Sequence, residues 1–340
     1  MWWMVGCGEP TEPTEQTEPT EPTDGETSDT GASGSGCAGP LTGWSEVDLP
    51  GARESMAVAT DGVRAYSLGG WTPTGATTEV WAIDGVADGA PSFVVAPSLP
   101  GRREHGMGAV AAGRLWHLGG DDGQVFTSTV WSAPLDAGVV GAWVEAEPLP
   151  TPLGFAAAAV WGDHLFVVGG LGSWYDGPVD AVVRFDPRPD GTYTLTPQPP
   201  LPEPRFGAGI TVDGDTVWVV GGASSFFGDA AGVWRAEIGA DGALGEWQDA
   251  GELPEPLVTP AATVVDGRLV VAGGLTGWSE GRQKVWGATD DGFERLDPLP
   301  SARIGHGNLR VGDGWLLLGG WTDWQSGPMY TTAVIAGVCR

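Results

Sequence analysis

Among 340 residues there is a single lysine, Lys284, and only 16 lysines and arginines stand against 44 aspartates and glutamates, a formal net charge of −28. A surface so poor in cations repels phosphate backbones and anionic headgroups, which argues against nucleic acid as a partner. No apolar run reaches the ~18 residues that a membrane-crossing helix needs. Cysteine is nearly absent as well, at three residues, too few for a disulfide-stapled scaffold. No C-x-x-C, H-E-x-x-H, G-x-S-x-G or EF-hand pattern occurs, so neither a metal nor a cofactor is expected. What is abundant is glycine, at 57 residues, together with 18 tryptophans and a hydrophobic share of 41%, ample for a core.

The glycines are ordered. The stretch Val212 to Gly222, V-D-G-D-T-V-W-V-V-G-G, joins a hairpin signal at Asp213-Gly214 to an apolar run, Val217 to Val220, and a closing Gly-Gly. Asp-Gly suits a tight turn with positive φ, and the unbroken apolar run suits a strand buried on both faces. The pattern returns at Gly69-Gly70, Gly119-Gly120, Gly169-Gly170, Gly221-Gly222, Gly273-Gly274 and Gly319-Gly320, at intervals of 50, 50, 52, 52 and 46 residues.

Six copies of about 50 residues, each with Gly-Gly after an apolar strand, resemble the kelch repeat, in which one copy forms one four-stranded propeller blade. The resemblance covers about Gly43 to Val338 and implies an all-β, six-bladed kelch-type β-propeller. Trp81, Trp131, Phe185, Trp234 and Trp286 fall where kelch blades carry a strand c aromatic. Strand d runs from an aromatic to Leu-Pro, as in Trp143 to Pro150 and Trp247 to Pro254. One such element, Trp44 to Pro50, precedes every other strand, and the last copy lacks its own. The N-terminal strand is therefore expected to complete the last blade beside a c strand near Thr331 to Ala336, closing the ring and removing two sheet edges.

Three segments follow: residues 1–7, 8–42 and 43–340. Met4-Val5-Gly6-Cys7 resembles a bacterial lipobox, although Met1-Trp2-Trp3 supplies no basic residue and no proper apolar region before it. Either the true start lies upstream and Cys7 is lipidated, or the resemblance is accidental. Residues 8–42 hold Thr-Glu-Pro repetition and a Gly/Ser-rich stretch, which cannot bury apolar surface and are expected to be disordered. A lipid anchor with a polar tether would hold the propeller at a bacterial cell envelope, in an oxidising compartment. There Cys37 and Cys339, brought together by the closing strand, are expected to form a disulfide. A monomer, touching the membrane through its anchor alone, is expected.

Antiparallel connectivity puts the b–c and d–a loops on one face, and function is expected there. The b–c loops carry Trp71, Trp174, Tyr175, Trp278, Trp321 and Trp324. The d–a loops carry Arg53, Arg103, Arg205 and Arg303, with Leu153 and Leu257 at the matching positions of the other two copies. The arginines are either struts on loop carbonyls between blades or a cationic mouth for an anionic, partly apolar ligand. Asp121-Asp122, Asp213/Asp215 and Asp290-Asp291 read as turn residues rather than calcium ligands, Gly106-x-Gly108-x-x-Ala111 as strand a rather than a dinucleotide fingerprint, and His117 and His164 as structural. Binding of a glycan, peptide or protein partner is the favoured function. The alternative is an envelope carbohydrate enzyme, since six-bladed kelch propellers include sialic-acid mutarotases; Glu104, His105 and His306 would then be its acid/base candidates.

Overall fold

The computed structural model describes residues 41–277, 280–322 and 333–338. Cys7, Cys37, Cys339, Trp278 and Trp324 lie outside them, as does the tether up to residue 40. The chain separates into two units, Met1–Gly36 and Cys37–Arg340.

The described residues contain strands and no helix. Five antiparallel blades are each built from consecutive strands a to d. The third is representative: Ala157–Trp161, His164–Val168, Val182–Pro187 and Tyr193–Gln198, paired in that order. A further sheet draws on both ends of the described chain, with Gly307–Val311, Gly314–Leu318 and Ala333–Val338 continued by Leu41–Val47. The register of the last pair sets Trp44 opposite Ala336 and Val47 opposite Ala333.

The innermost strands are neighbours around an axis: Ala57–Thr60 lies beside Met107–Ala111 on one side and beside Gly307–Val311 on the other. Each b strand is sandwiched between neighbouring sheets, and Ala65–Leu68, Arg114–Leu118 and Gly314–Leu318 are buried at every position. The core is accordingly a series of layers between sheets. One contains Tyr66, Leu68, Leu115 and Trp131; another contains Val265, Leu299, Trp315 and Leu317 with Leu41 and Trp44 against it. The strand d aromatics also fasten one sheet to the one before. Trp143 Nε1 donates to Pro97 O at 2.8 Å, Tyr193 Oη to Glu147 O at 2.7 Å, and Trp247 Nε1 to Pro199 O at 3.0 Å.

One turn differs from its expected form. Asp213 pairs with Thr216, so the two central residues are Gly214 and Asp215. Only Gly214 is left-handed, at φ 53°, as a turn with glycine in its first central position requires. Asp266-Gly267 takes the expected form, with both residues left-handed at 52° and 74°.

Candidate ligand-binding mouth

Each Gly-Gly ends strand b with two left-handed residues and docks on the next d–a loop. Gly70 N donates to Arg103 O at 2.7 Å, Gly120 N to Leu153 O at 2.8 Å, Gly170 N to Arg205 O at 2.7 Å and Gly320 N to Arg53 O at 2.9 Å. A Cβ on Gly169 would lie 2.2 Å from Arg205 O, so only glycine permits the approach.

Three of the arginine side chains lie on the strand c tryptophans of their own blades. Arg53 lies 3.6 Å over Trp81, Arg103 4.2 Å over Trp131, and Arg205 4.4 Å over Trp234. Arg53 also pairs with Glu79. Arg103 donates to Thr129 Oγ1 at 3.0 Å, Arg205 to Glu203 Oε2 at 3.0 Å, and Arg303 to Gly319 O at 2.8 Å. All four are buried, and desolvation pushes Arg53 and Arg303 down to about 10. The cationic mouth expected from these residues is thus corrected. Their guanidinium groups are engaged within the blades, and none lines the cavity at the loop face.

The next residue along faces that cavity. Chain alternation turns Glu54, Glu104, Phe206, Val258 and Ile304 toward it. These positions pair with the residue after each Gly-Gly: Glu54 with Trp71, Glu104 with Asp121, Phe206 with Ala223, Val258 with Leu275, and Ile304 with Trp321. One residue further on, Ser55, His105, Phe155, Gly207, Thr259 and Gly305 are all left-handed, with φ between 51° and 61°. Their main chains form a belt: His105 N donates to Ser55 O, Phe155 N to His105 O, Gly207 N to Phe155 O, Thr259 N to Gly207 O and Ser55 N to Gly305 O, at 2.6–3.0 Å.

Above the belt is a cavity of about 400 Å³ and along the axis a second of about 190 Å³; Ser55, His105, Phe155, Thr259 and Gly305 border both. The upper cavity has an apolar wall in which Phe155 meets Trp174 at 5.4 Å and Phe206 at 6.0 Å, edge to face. Its lining also holds Glu54 and Glu104. Burial pushes the Glu54 carboxyl up to about 7, and burial, with the Asp121 and Glu54 charges, pushes Glu104 up to about 8. Burial pushes His105 and His306 down to about 3, so both are neutral near pH 7 and carry no exchangeable positive charge there. His105 stacks on Phe155 at 3.6 Å, and His306 borders the axial cavity.

No protein-family model matches the chain. Kelch-like protein 35 of Mus musculus is 31% identical over 160 residues, which cover 47% of this chain and 25% of that protein. The chain thus spans about a quarter of the length of that curated relative. The solved structure of YjhT is similar with a TM-score of 0.71 at 16% identity, over 85% of this chain and 95% of that one. The fold is that of a β-propeller, and its repeats are similar to those of kelch proteins.

In this propeller Trp71, Trp174 and Trp321 line the mouth, as do Glu104 and His105. Tyr175 is 96% exposed and lies outside the lining. Glu54, Phe155 and Phe206 are lining residues that the sequence reading missed; their signal is the position one or two residues past each d–a arginine or leucine. Of the aspartates singled out for turns, Asp121 and Asp122 do that work: Asp121 Oδ1 accepts from Gly123 N at 2.6 Å, and Asp122 Oδ1 from Gln124 and Val125 N at 3.0 Å. His164 Nδ1 sits 2.6 Å from Asp186 Oδ1, a structural contact within its blade.

Proposed function

We propose that this propeller is a binding module that holds a glycan, peptide or protein group in its loop-face mouth. The observation that carries the reading is the contrast at the mouth: a repeated layer of Gly-Gly and arginine lies beneath a cavity of about 400 Å³ whose lining differs from blade to blade. Concave, largely apolar sites with a few polar groups are where ligands bind. Glycan and peptide arrays probed with the wild type and with Trp71→Ala/Trp174→Ala test it. Signals that vanish in the variant, at unchanged melting temperature, are expected; signals that persist place binding elsewhere.

The two-ended sheet is read as a sixth blade, with Leu41–Val47 as its closing strand. The Ser55–Gly305 and Gly320–Arg53 backbone hydrogen bonds support that reading. A lipidated Cys7, a Cys37–Cys339 clamp and a monomer tethered at the cell envelope complete it, on the strength of sequence pattern. Mass spectrometry and non-reducing peptide mapping check the two cysteine assignments.

A second reading, a mutarotase-like enzyme, draws support from carboxyls at Glu54 and Glu104 that hold protons near neutral pH. The acidic wall opposes an anionic sugar. NMR exchange between N-acetylneuraminate anomers decides: a rate no faster than the blank, or one indifferent to Glu104→Gln, removes it.

A further inference from the structure

The chemistry of the mouth's polar wall narrows the ligand class, taking the mouth as the binding site proposed above. We propose that the mouth takes a ligand carrying a protonated amine on an apolar body, the amine at Glu54 and Glu104 and the body against Trp71, Phe155 and Trp174.

Glu104 is only 8% exposed, lines the cavity, and accepts no hydrogen bond from the described residues. His105 Nδ1, itself buried and without a hydrogen-bond partner, lies 3.4 Å from Glu104 Oε2. Glu54 reaches across toward the two-ended sheet, where a Cβ on Gly305 would lie 2.9 Å from Oε2; its one hydrogen bond comes from Ser55 Oγ at 3.3 Å. Behind Glu104 stands the buried carboxylate of Asp121, whose Oδ1 is occupied by the Gly123 N–H. Among the described residues, the titratable groups lining the cavity are Glu54, Glu104 and His105, with no lysine or arginine.

A carboxylate withdrawn from water without a counter-charge is costly. The two arginines adjacent in sequence do not relieve that cost, because Trp81 and Trp131 hold their guanidinium groups on the far side of the backbone. The cavity's own described lining, which holds no cation, therefore favours the protonated, neutral acids. An incoming ammonium supplies the missing cation, releases protons from the acids, and finds aromatic faces on which a cation is attracted by the ring quadrupole. An anion meets two acids and no cation. A neutral ligand gains the apolar contact alone.

Three indoles of one shape separate these cases by titration calorimetry of the intact protein at pH 8: tryptamine, 3-ethylindole and indole-3-propionate. Tryptamine is expected to bind at least about tenfold tighter than 3-ethylindole, the return from one charged hydrogen bond, with indole-3-propionate weakest. Its binding heat should vary with buffer ionisation enthalpy in the sense of proton release. Glu104→Gln, or Glu54→Gln should that variant not fold, is expected to erase the preference. Equal affinity for tryptamine and 3-ethylindole, a preference for the propionate, or a tryptamine preference that survives both substitutions overturns the amine assignment and leaves the mouth as a binding site. Binding of none of the three overturns the amine assignment, while the binding-module reading stands or falls by the arrays.

Discussion

Arg103 and Glu104 are neighbours in the chain and belong to different regions of the molecule. Arg103 lies in the repeated layer, its guanidinium over Trp131 and its carbonyl under Gly70. Glu104 lies in the variable layer, paired with Asp121 and facing the mouth. The same step separates Arg53 from Glu54, Arg205 from Phe206 and Arg303 from Ile304. Extended backbone sends successive side chains to opposite sides, so one residue can be fixed by packing while the next is free to meet a ligand. Charge alone does not tell the two regions apart.

The comparison breaks most visibly if arginine proves to be a ligand group. Arg103→Ala/Arg303→Ala is expected to lower unfolding stability by about 5 kcal/mol, from two buried charged hydrogen-bonding groups and the stacking on Trp131, while sparing binding at the mouth. Denaturant titration beside ligand titration measures both; lost binding at full stability would place the arginines in the site after all. Next in size, Gly169→Ala puts a Cβ 2.2 Å from Arg205 O in a left-handed conformation, and a loss of about 2–4 kcal/mol is expected in thermal melts. A melt unchanged within error would show that the inter-blade contact yields.

The third outcome sharpens the contrast from the other side. Glu54 and Glu104 have folded-state pKa values of about 7 and about 8, against an ordinary 4.5. Between those values the folded protein binds more protons than the unfolded chain, so their contribution is fully present below about pH 4.5 and is lost as pH rises through 7 to 8. The buried histidines, depressed to about 3, act in the opposite sense and lose their contribution as pH falls below 6.5. The difference between wild type and Glu54→Gln/Glu104→Gln isolates the acids. In melts from pH 5 to pH 8.5, the double variant should gain on the wild type by on the order of 5 kcal/mol. A constant difference would mean the carboxyls are already compensated.

Much of the scaffold was legible before any coordinates. The Gly-Gly spacing located each b strand, and the early Leu-Pro element found its antiparallel partner near residue 336. The face bearing the mouth followed from connectivity, and Trp71, Trp174 and Trp321 from their place beside Gly-Gly or in a b–c loop. The direction of the arginines was not legible, since a d–a loop read as a string has no inside until its hydrogen bonds to Gly-Gly are known. Glu54 escaped notice for the same reason: its direction, opposite to that of Arg53, which pairs with Glu79, is set by the folded loop.

The belt joining Ser55, His105, Phe155, Gly207 and Thr259 is made by main-chain atoms. A fastening of that kind is indifferent to lettering: serine, histidine, phenylalanine, glycine and threonine already occupy equivalent places in one molecule. The floor of the mouth can therefore be rewritten at most of these places at the modest cost of keeping a left-handed backbone, Thr259 excepted, since its Oγ1 accepts from Gly305 N at 3.3 Å. For anyone seeking to graft a new specificity onto this chain, those positions are the natural alphabet, and the arginine and double-glycine positions are the page on which it is written.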